Sequence, residues 1–412
     1  MKNNAFKVSL LASFLVPMGA IAAPATVVYD AYSLRAALDS GATKIVIKAG
    51  ATDIEVSQTL EYVGTAPLSI NGNGRVIYGD ILGDGPILQL TNGADLSISN
   101  LSFEGPGGYS IEAQGGGKGI YVQVPIEREG VVNVKLSNVS VSHTGNHGVH
   151  VSDCSLGDDC GGGAGGGGEG SPASIRVQLN GVTIDGAGFG QQDADGLRVD
   201  DRGEGDIILS ATDSTFINVG GDGIELDEGN EGSVVINVRN SDFTGNGAYC
   251  SADLLVDDPI ALDPKCDDDG DPDVDDAFDI DEAGPGGISG MVANLSIIDN
   301  YDEGLDFDSE GNGEGDSVDL DIMNIFAQGN ADEAIKVSEE GNASVAVNLR
   351  AIDVEGDVEI EEEDVGELRV SVNGSFIGDD LKLSEKGAGT GTAKLRGTTV
   401  VDESDFNNVT EI

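Results

Sequence analysis

Short runs of alternating apolar and polar residues recur along most of this chain. "SIRVQL", "DIILSA", "SVVINV", "SVDLDI", "SVAVNL" and "ELRVSV" each alternate strictly. A period of two marks a β-strand with one buried face. A second unit reads acid, Gly or Ala, apolar-x-apolar, then acid. Its copies are "HGVHVSD" (147–153), "DGLRVDD" (195–201), "DGIELDE" (222–228), "DAFDIDE" (276–282), "EGLDFDS" (303–309) and "EAIKVSE" (333–339), with weaker copies at 357–362 and 380–385. A third short apolar stretch follows the first, as in "VTIDG", "STFIN", "SDFTGN" and "LSIIDN". No segment inside the repeats has the pattern of a long amphipathic helix, which excludes leucine-rich and ankyrin-type solenoids.

Three short strands per repeat, separated by turn residues, predict one coil of a right-handed parallel β-helix. The spacing supports a fixed coil length. Gly196 is followed 27 residues later by Gly223, and Ala277 by Gly304 after another 27, with Ala334 a further 30 on. The interval from Gly223 to Ala277 is 54, two periods. It holds either a hidden coil or an insertion around Cys250 and Cys266. The interval from 148 to 196 contains "GGGAGGGGEG". The reading is therefore an all-β solenoid over 23–412, one domain, with loop insertions near 154–172 and 250–275.

The N-terminal part fits the same scheme. "YDAYSLRAALDSGATKIVIKAGA" predicts a short helix and then a first strand, and "APLSINGNGRVIYG" and "ILQLTNGADLSISNLSFEG" read as early coils. In this patterning the chain resembles the pectate-lyase-like superfamily of right-handed parallel β-helices. The helix around "SLRAALDS" would cap the open end of the solenoid, where unpaired backbone invites aggregation. At the other end "TTVVDESDFNNVTEI" is the candidate plug.

A β-helix stacks equivalent residues about 4.8 Å apart, so inward and outward ladders can be read directly. Leu197, Ile224, Phe278, Leu305 and Ile335 form one inward ladder, and Val199, Leu226, Ile280, Phe307 and Val337 a second. The residue between them points outward and gives the ladder His150, Arg198, Glu225, Asp279, Asp306, Lys336, Glu359, Lys382. Asp195, Asp222, Asp276, Glu303 and Glu333 precede the strand, and Asp200, Asp227, Asp281 and Asp308 follow the central residue. One face thus carries up to three acidic columns. Two carboxylates about 5 Å apart repel by roughly 3 kcal/mol at an effective dielectric near 20.

Charge and composition sharpen this picture. The 412 residues carry a formal charge of −53, with 62 Gly, 4 Cys and no Trp. Such a charge excludes nucleic acid as a partner. Repelling columns are relieved by raised pKa values, by salt or by cations, and hard oxygen ligands at this spacing suit Ca²⁺. Asp195, Asp200, Asp222, Asp227, Asp279, Asp281, Asp306 and Asp308 are the candidate ligands. The alternative is a solvated acidic surface that keeps the protein soluble. The acid-rich "CDDDGDPDVDDAFDIDE" does not have EF-hand spacing, because Gly270 would place the first ligand at Lys265.

Residues 1–22 read as a secretory signal peptide: Lys2 and Lys7, the apolar "VSLLASFLVPMGAIA", and a small-x-small end at Ala20-Ile21-Ala22. The expectation is an exported protein, extracellular or at the cell surface, with the periplasm an alternative, and no membrane span in the mature chain. Export permits disulfides, and Cys154/Cys160 and Cys250/Cys266 are the economical local pairs among three connectivities.

The resemblance implies polysaccharide as partner, and lyases of that superfamily use calcium held by acids with Arg or Lys as base. Arg198 is the local match, flanked by Glu225, with His150 on the preceding copy as acid or base. The bland reading makes Arg198 a counter-ion in an acidic ladder and the histidines exposed turn residues. A Gly-His-Gly and an Arg-Ile-Lys, carried by pectin hydrolases of this fold, are absent. Two functional readings follow. The first is a secreted, calcium-binding protein that binds or processes extracellular polysaccharide, as a lyase or glycoside hydrolase if catalytic. The second is a non-catalytic adhesin, matrix or surface protein that uses a cation-loaded acidic face.

Overall fold

The structure is a computed structural model describing residues 24–81, 85–105, 117–154, 170–190, 193–249, 275–309 and 317–412. The expected signal peptide lies outside these residues, as does most of each expected insertion.

The chain opens with a strand, Thr26–Val28, and the capping helix Ala31–Asp39. Asp30 and Ser33 form a reciprocal capping box at the helix start, which satisfies donors that a helix N-terminus leaves unpaired. The helix buries Leu34, Ala37 and Leu38 against the first coil. Every strand pairing that follows is parallel, and the coils wind as a right-handed β-helix. Among the described residues, twelve strands from Leu60–Tyr62 to Ser404–Asn407 stack into one sheet, and nineteen form the other.

The long strands of the wider sheet bend at one position per coil. Asn73, Asn100, Asn138, Asp213, Asn240, Asn294 and Asn324 adopt φ near +50°, as do Gly181 and Gly374 near +60°. Short polar side chains and glycine tolerate this left-handed conformation. The bend splits the strand into the first and third runs seen in the sequence, so each coil has three faces. The bend residues bond to one another coil to coil, each Asn amide donating to the preceding side chain: Asn240 to Asp213 at 3.1 Å, Asn294 to Asn240 at 2.9 Å, Asn324 to Asn294 at 2.9 Å.

Both inward ladders are buried throughout, each member at 0% exposure. Phe216, Phe243, Phe278 and Phe307 pack in series, with successive centroids 5.0, 6.1 and 5.0 Å apart. The two-period interval hides no coil, because the strand Ile224–Glu228 pairs directly with Phe278–Glu282. At the C-terminus the expected plug is instead one more coil: Ser404–Asn407 pairs with Leu381–Glu385, and Val409–Glu411 with Thr390–Arg396. Cys154 is buried and disulfide-bonded. The other three cysteines lie outside the described residues, so their pairing remains the expectation above.

Candidate functional site

The twelve-stranded sheet carries the outward ladder in the expected register. Tyr121, His150, Arg198 and Glu225 are successive partners, followed by Asp279, Asp306, Lys336, Glu359, Lys382 and Asp405. Gln89 extends the row on the N-terminal side.

The acids before each strand have a backbone role that the spacing alone does not reveal. The aspartates of this column accept the main-chain N–H of their equivalent one coil later. Asp222 N–H donates to Asp195 at 3.1 Å, Asp276 N–H to Asp222 at 2.5 Å and Glu303 N–H to Asp276 at 2.8 Å. The weaker copies do the same, Asp380 to Asp357 at 2.9 Å and Glu403 to Asp380 at 2.7 Å. The repeated acid is thus a cross-coil tie, and the solenoid needs it whatever the surface binds.

A solvated face is not what forms around Arg198. Asp195 and Asp200 are at 0% exposure, Asp227 at 2%, Asp222 at 6%, His150 at 7% and Arg198 at 9%. Burying charge is tolerated only with close partners. Arg198 has four: Nε donates to Asp200 at 2.7 Å, Nη1 to Asp195 at 3.3 Å and to Glu225, and Nη2 to Asp227 at 3.3 Å. Burial alone would lower its pKa, but Glu225, Asp200, Asp195 and Asp227 together hold it well above the usual arginine value. A guanidinium held in this way keeps its proton.

Arg198 is shared by four carboxylates, and their surroundings shift them in opposite directions. Burial opposes ionisation of Asp195 and Asp200. His147 and Arg198 nevertheless hold Asp195 below the ordinary carboxylate range, and Arg198 and His150 do so for Asp200. Glu225 goes the other way. Burial, with Asp195 and Asp222 beside it, raises it well above the ordinary carboxylate range, against the pull of Arg198. Burial likewise pushes Asp227 up to about 7, although both Arg198 and Arg202 reach it.

The expected exposed-turn histidines are also largely inside. His150 Nε2 lies 2.6 Å from Asp200 Oδ2, and burial outweighs that carboxylate, pushing the imidazole down to about 3. The ring is therefore neutral near neutral pH. If Nε2 carries the hydrogen, it donates to Asp200 and leaves Nδ1 as a buried lone pair without a partner. His147 Nδ1 lies 2.9 Å from the Asp195 N–H and 3.0 Å from Asp195 Oδ2; it answers the first as acceptor and the second only when protonated. Tyr121 packs against His150 at 5.2 Å, and Lys118 lies 4.9 Å over the Tyr121 ring. Burial lowers Lys118 and raises Tyr121 to about 12. Lys118 stands at the leading position of its own coil, in the column of His147 and Asp195, because Ile120 and Tyr121 pair with Val149 and His150.

Further along, the built-in cations are lysines. Lys336 meets Asp306 at 2.6 Å, Glu303 at 3.5 Å and Asp308 at 3.7 Å. Lys382 meets Asp357 at 2.7 Å, Glu333 at 3.2 Å and Glu359 at 3.3 Å. Between Arg198 and Lys336, no ion pair reaches Asp222, Asp276, Asp279 or Asp281 among the described residues. Burial first, and neighbouring carboxylates second, raise all four above the ordinary range.

Among the described residues, three groups of carboxylates converge with ligand atoms within 4.8 Å: Asp195, Asp222 and Glu225; Asp276, Glu303 and Asp306; Asp357, Asp379 and Asp380. Of the expected ligands, Asp195, Asp222 and Asp306 belong to such groups. Asp200 and Asp227 are drawn to His150 and the arginines, and Asp279, Asp281 and Asp308 stand in the adjacent rows. At the C-terminal end the face opens into a cavity of about 380 Å³ lined by Glu359, Glu361, Lys382, Ser384, Asp405 and Phe406.

The fold and this face define a parallel β-helix with one polar, charge-paired sheet. No family model matches the chain, and no curated protein does. Among solved structures it is similar to the Dettilon tailspike protein, at 10% identity and a TM-score of 0.40, over 90% of this chain and 64% of that one. This chain therefore spans less than two thirds of the tailspike chain's length. No helix among the described residues is long and apolar enough to cross a membrane.

Proposed function

We propose that this chain is an exported protein that binds extracellular polysaccharide along the twelve-stranded face, with Ca²⁺ in the stretch between Arg198 and Lys336. The observation that carries the reading is the continuity of the face. A polar side chain stands at the same register in every coil from Gln89 to Asp405. At its open end the cavity offers Phe406 beside Lys382, Ser384 and Asn407. An aromatic surface flanked by hydrogen-bonding groups suits a sugar ring. A −53 protein repels acidic glycans, and divalent cations between the two anionic surfaces remove that barrier.

The calcium part rests on Asp222, Asp276, Asp279 and Asp281, with Asp306 beside them. Oxygen-only, acid-rich surroundings fit a hard cation. Asp306 supports the fit, because its Oδ1 is buried and has no hydrogen-bond partner. Calcium would supply the positive charge that Arg198 and Lys336 supply to their own coils.

The test is a glycan-binding screen with calcium and with EDTA, covering neutral, uronate and sulfated polysaccharides. Binding that Phe406→Ala abolishes is expected. Absence of binding to every glycan class in calcium would reject the reading. The His150–Asp200 pair supports a processing role as second reading, with Nδ1 of a neutral His150 as base and protonated Glu225 as acid. Unsaturated ends or new reducing ends that vanish in His150→Gln would select it.

A further inference from the structure

The nineteen-stranded sheet carries, in three adjoining coils, a patch of the opposite sign to the face described above. The strands Ser344–Arg350, Glu367–Asn373 and Thr390–Arg396 pair in parallel register and alternate inward and outward residues. The last three outward positions of each strand together hold four cations, Arg350, Arg369, Lys394 and Arg396, and no carboxylate. The remaining outward positions are Ala, Asn, Ser and Thr. One coil earlier, Asp319 and Asp321 hold the equivalent places. Acids outnumber bases 74 to 21 in this chain, so solvent-facing positions with four bases and no acid run against the composition.

Two of the four cations have surface partners. Arg350 Nη2 meets Asp321 at 3.3 Å, and Arg369 meets Glu367, with all four side chains well exposed. Exposed pairs of this kind contribute little and open readily. Lys394 and Arg396 meet no carboxylate among the described residues. They stand two residues apart on one strand, about 7 Å, and Arg350 shares the Arg396 column two rungs away, about 10 Å. Asn373 occupies the rung between Arg350 and Arg396, and its amide donates to Ser371 Oγ at 2.9 Å. The floor of the patch is therefore neutral. Three long cationic arms around such a floor can close on one small anion. A planar carboxylate is satisfied by a single guanidinium fork, whereas three separate donors match an anion with three terminal oxygens. Past the bend at Gly374, Phe376 is exposed on the adjoining face, with Asp353 and then Phe326, also exposed, in the same column. Exposed aromatic rings there suit the apolar face of a sugar.

We propose that this patch binds a sulfated polysaccharide, and does so without calcium. Arg350, Lys394 and Arg396 take the three oxygens of a sulfate ester, and Phe376 takes a ring of the same glycan. The formal charge of −53 does not forbid the approach. Salt at about 0.1 M screens charges more than about 10 Å away, so a sulfate at the patch responds mainly to the cations beside it. The nearest acids, Asp321 and Glu367, are already paired. The site lies on the other sheet from the face assigned to calcium and uses none of its residues, so either assignment can fail alone.

The test measures binding of the full chain in EDTA to dextran sulfate, to unsulfated dextran, to polygalacturonate and to phosphatidylglycerol vesicles. Dextran sulfate alone should bind. Lys394→Gln with Arg396→Gln should weaken that binding by about tenfold or more, the effect of losing at least one charge-assisted hydrogen bond. Lys48→Gln, which removes an exposed cation far along the chain, should leave it unchanged. Asp321→Asn, which releases Arg350, should tighten it, and this arm decides the matter if the double variant does not fold. No binding of dextran sulfate, or equal binding by wild type and the double variant, would overturn the proposal. Dextran bound as well as its sulfate would overturn it too, since the cations would then be idle. Stronger binding of polygalacturonate or of the vesicles would replace the sulfated glycan by a carboxylate or a lipid phosphate.

Discussion

Arg198 and Lys382 occupy the same register of the same face, yet they live in different media. The Arg198 side chain is 11% exposed and sits among four carboxylates, whereas Lys382 is 36% exposed and reaches its three partners from the surface. The repeat unit is alike in both coils. What differs is how much water reaches the charges, and that decides their energetic weight. A buried charge pair is expensive to break, because removing one partner leaves the other unpaired in a poor solvent. A surface pair is screened and contributes little.

This contrast can be broken in four ways, taken in order of effect. Arg198→Met should cost about 3–5 kcal/mol in urea denaturation at pH 7, since Asp195 and Asp200 lose their counter-ion. A loss below about 1 kcal/mol would mean that protons replace the guanidinium freely. Calcium should come next. At a hundred times its Kd it should stabilise wild type by about 2.7 kcal/mol, and Asp279→Asn with Asp276→Asn should remove the gain. An unchanged Tm from micromolar to millimolar calcium would refute cation binding. Third is His150, whose folded pKa is depressed to about 3 by burial. The unfolded chain gains a proton there below about pH 6.5 and the folded chain does not, so stability should fall by about 1.4 kcal/mol per pH unit on acidification toward pH 4. His150→Gln should flatten that slope in melts at pH 4–7, and an unchanged slope would place the acid sensitivity elsewhere. Smallest is Lys382→Met, expected at under about 1 kcal/mol and weaker still in 1 M salt.

The architecture was legible because β-helix coils write their geometry as a period. The alternation, the outward ladder and both inward ladders needed only the rule that strand neighbours stack in register. Burial was not legible. The same Asp-Gly-x-x-x-Asp phrase stands at Asp195 and Asp222, and nothing in it tells how closely neighbouring coils enclose the side chains. The buried acids that end several of these strands were not legible either. Glu228 belongs to no ladder read from the sequence, although counting by two from Ile224 through Leu226 places it inside, where it is fully buried. Lys118 was missed because the copy "KGIYVQV" opens on a lysine where the others open on an acid or a histidine, although the spacing is the same. The role of the leading acid, accepting an N–H from the next coil, is a relation between repeats that no single copy displays.

That relation sets the grain of the molecule. Asp195 bonds forward to Asp222, Asp222 to Asp276 and Asp276 to Glu303, so each tie spans a joint between coils. The smallest self-consistent piece is therefore a pair of adjacent coils. A whole coil lifted out leaves its neighbours with matching donor and acceptor, whereas a cut of any other length strands one of each. Growth and shrinkage of such a chain are quantised, and only whole rungs can be gained or lost without a fault line.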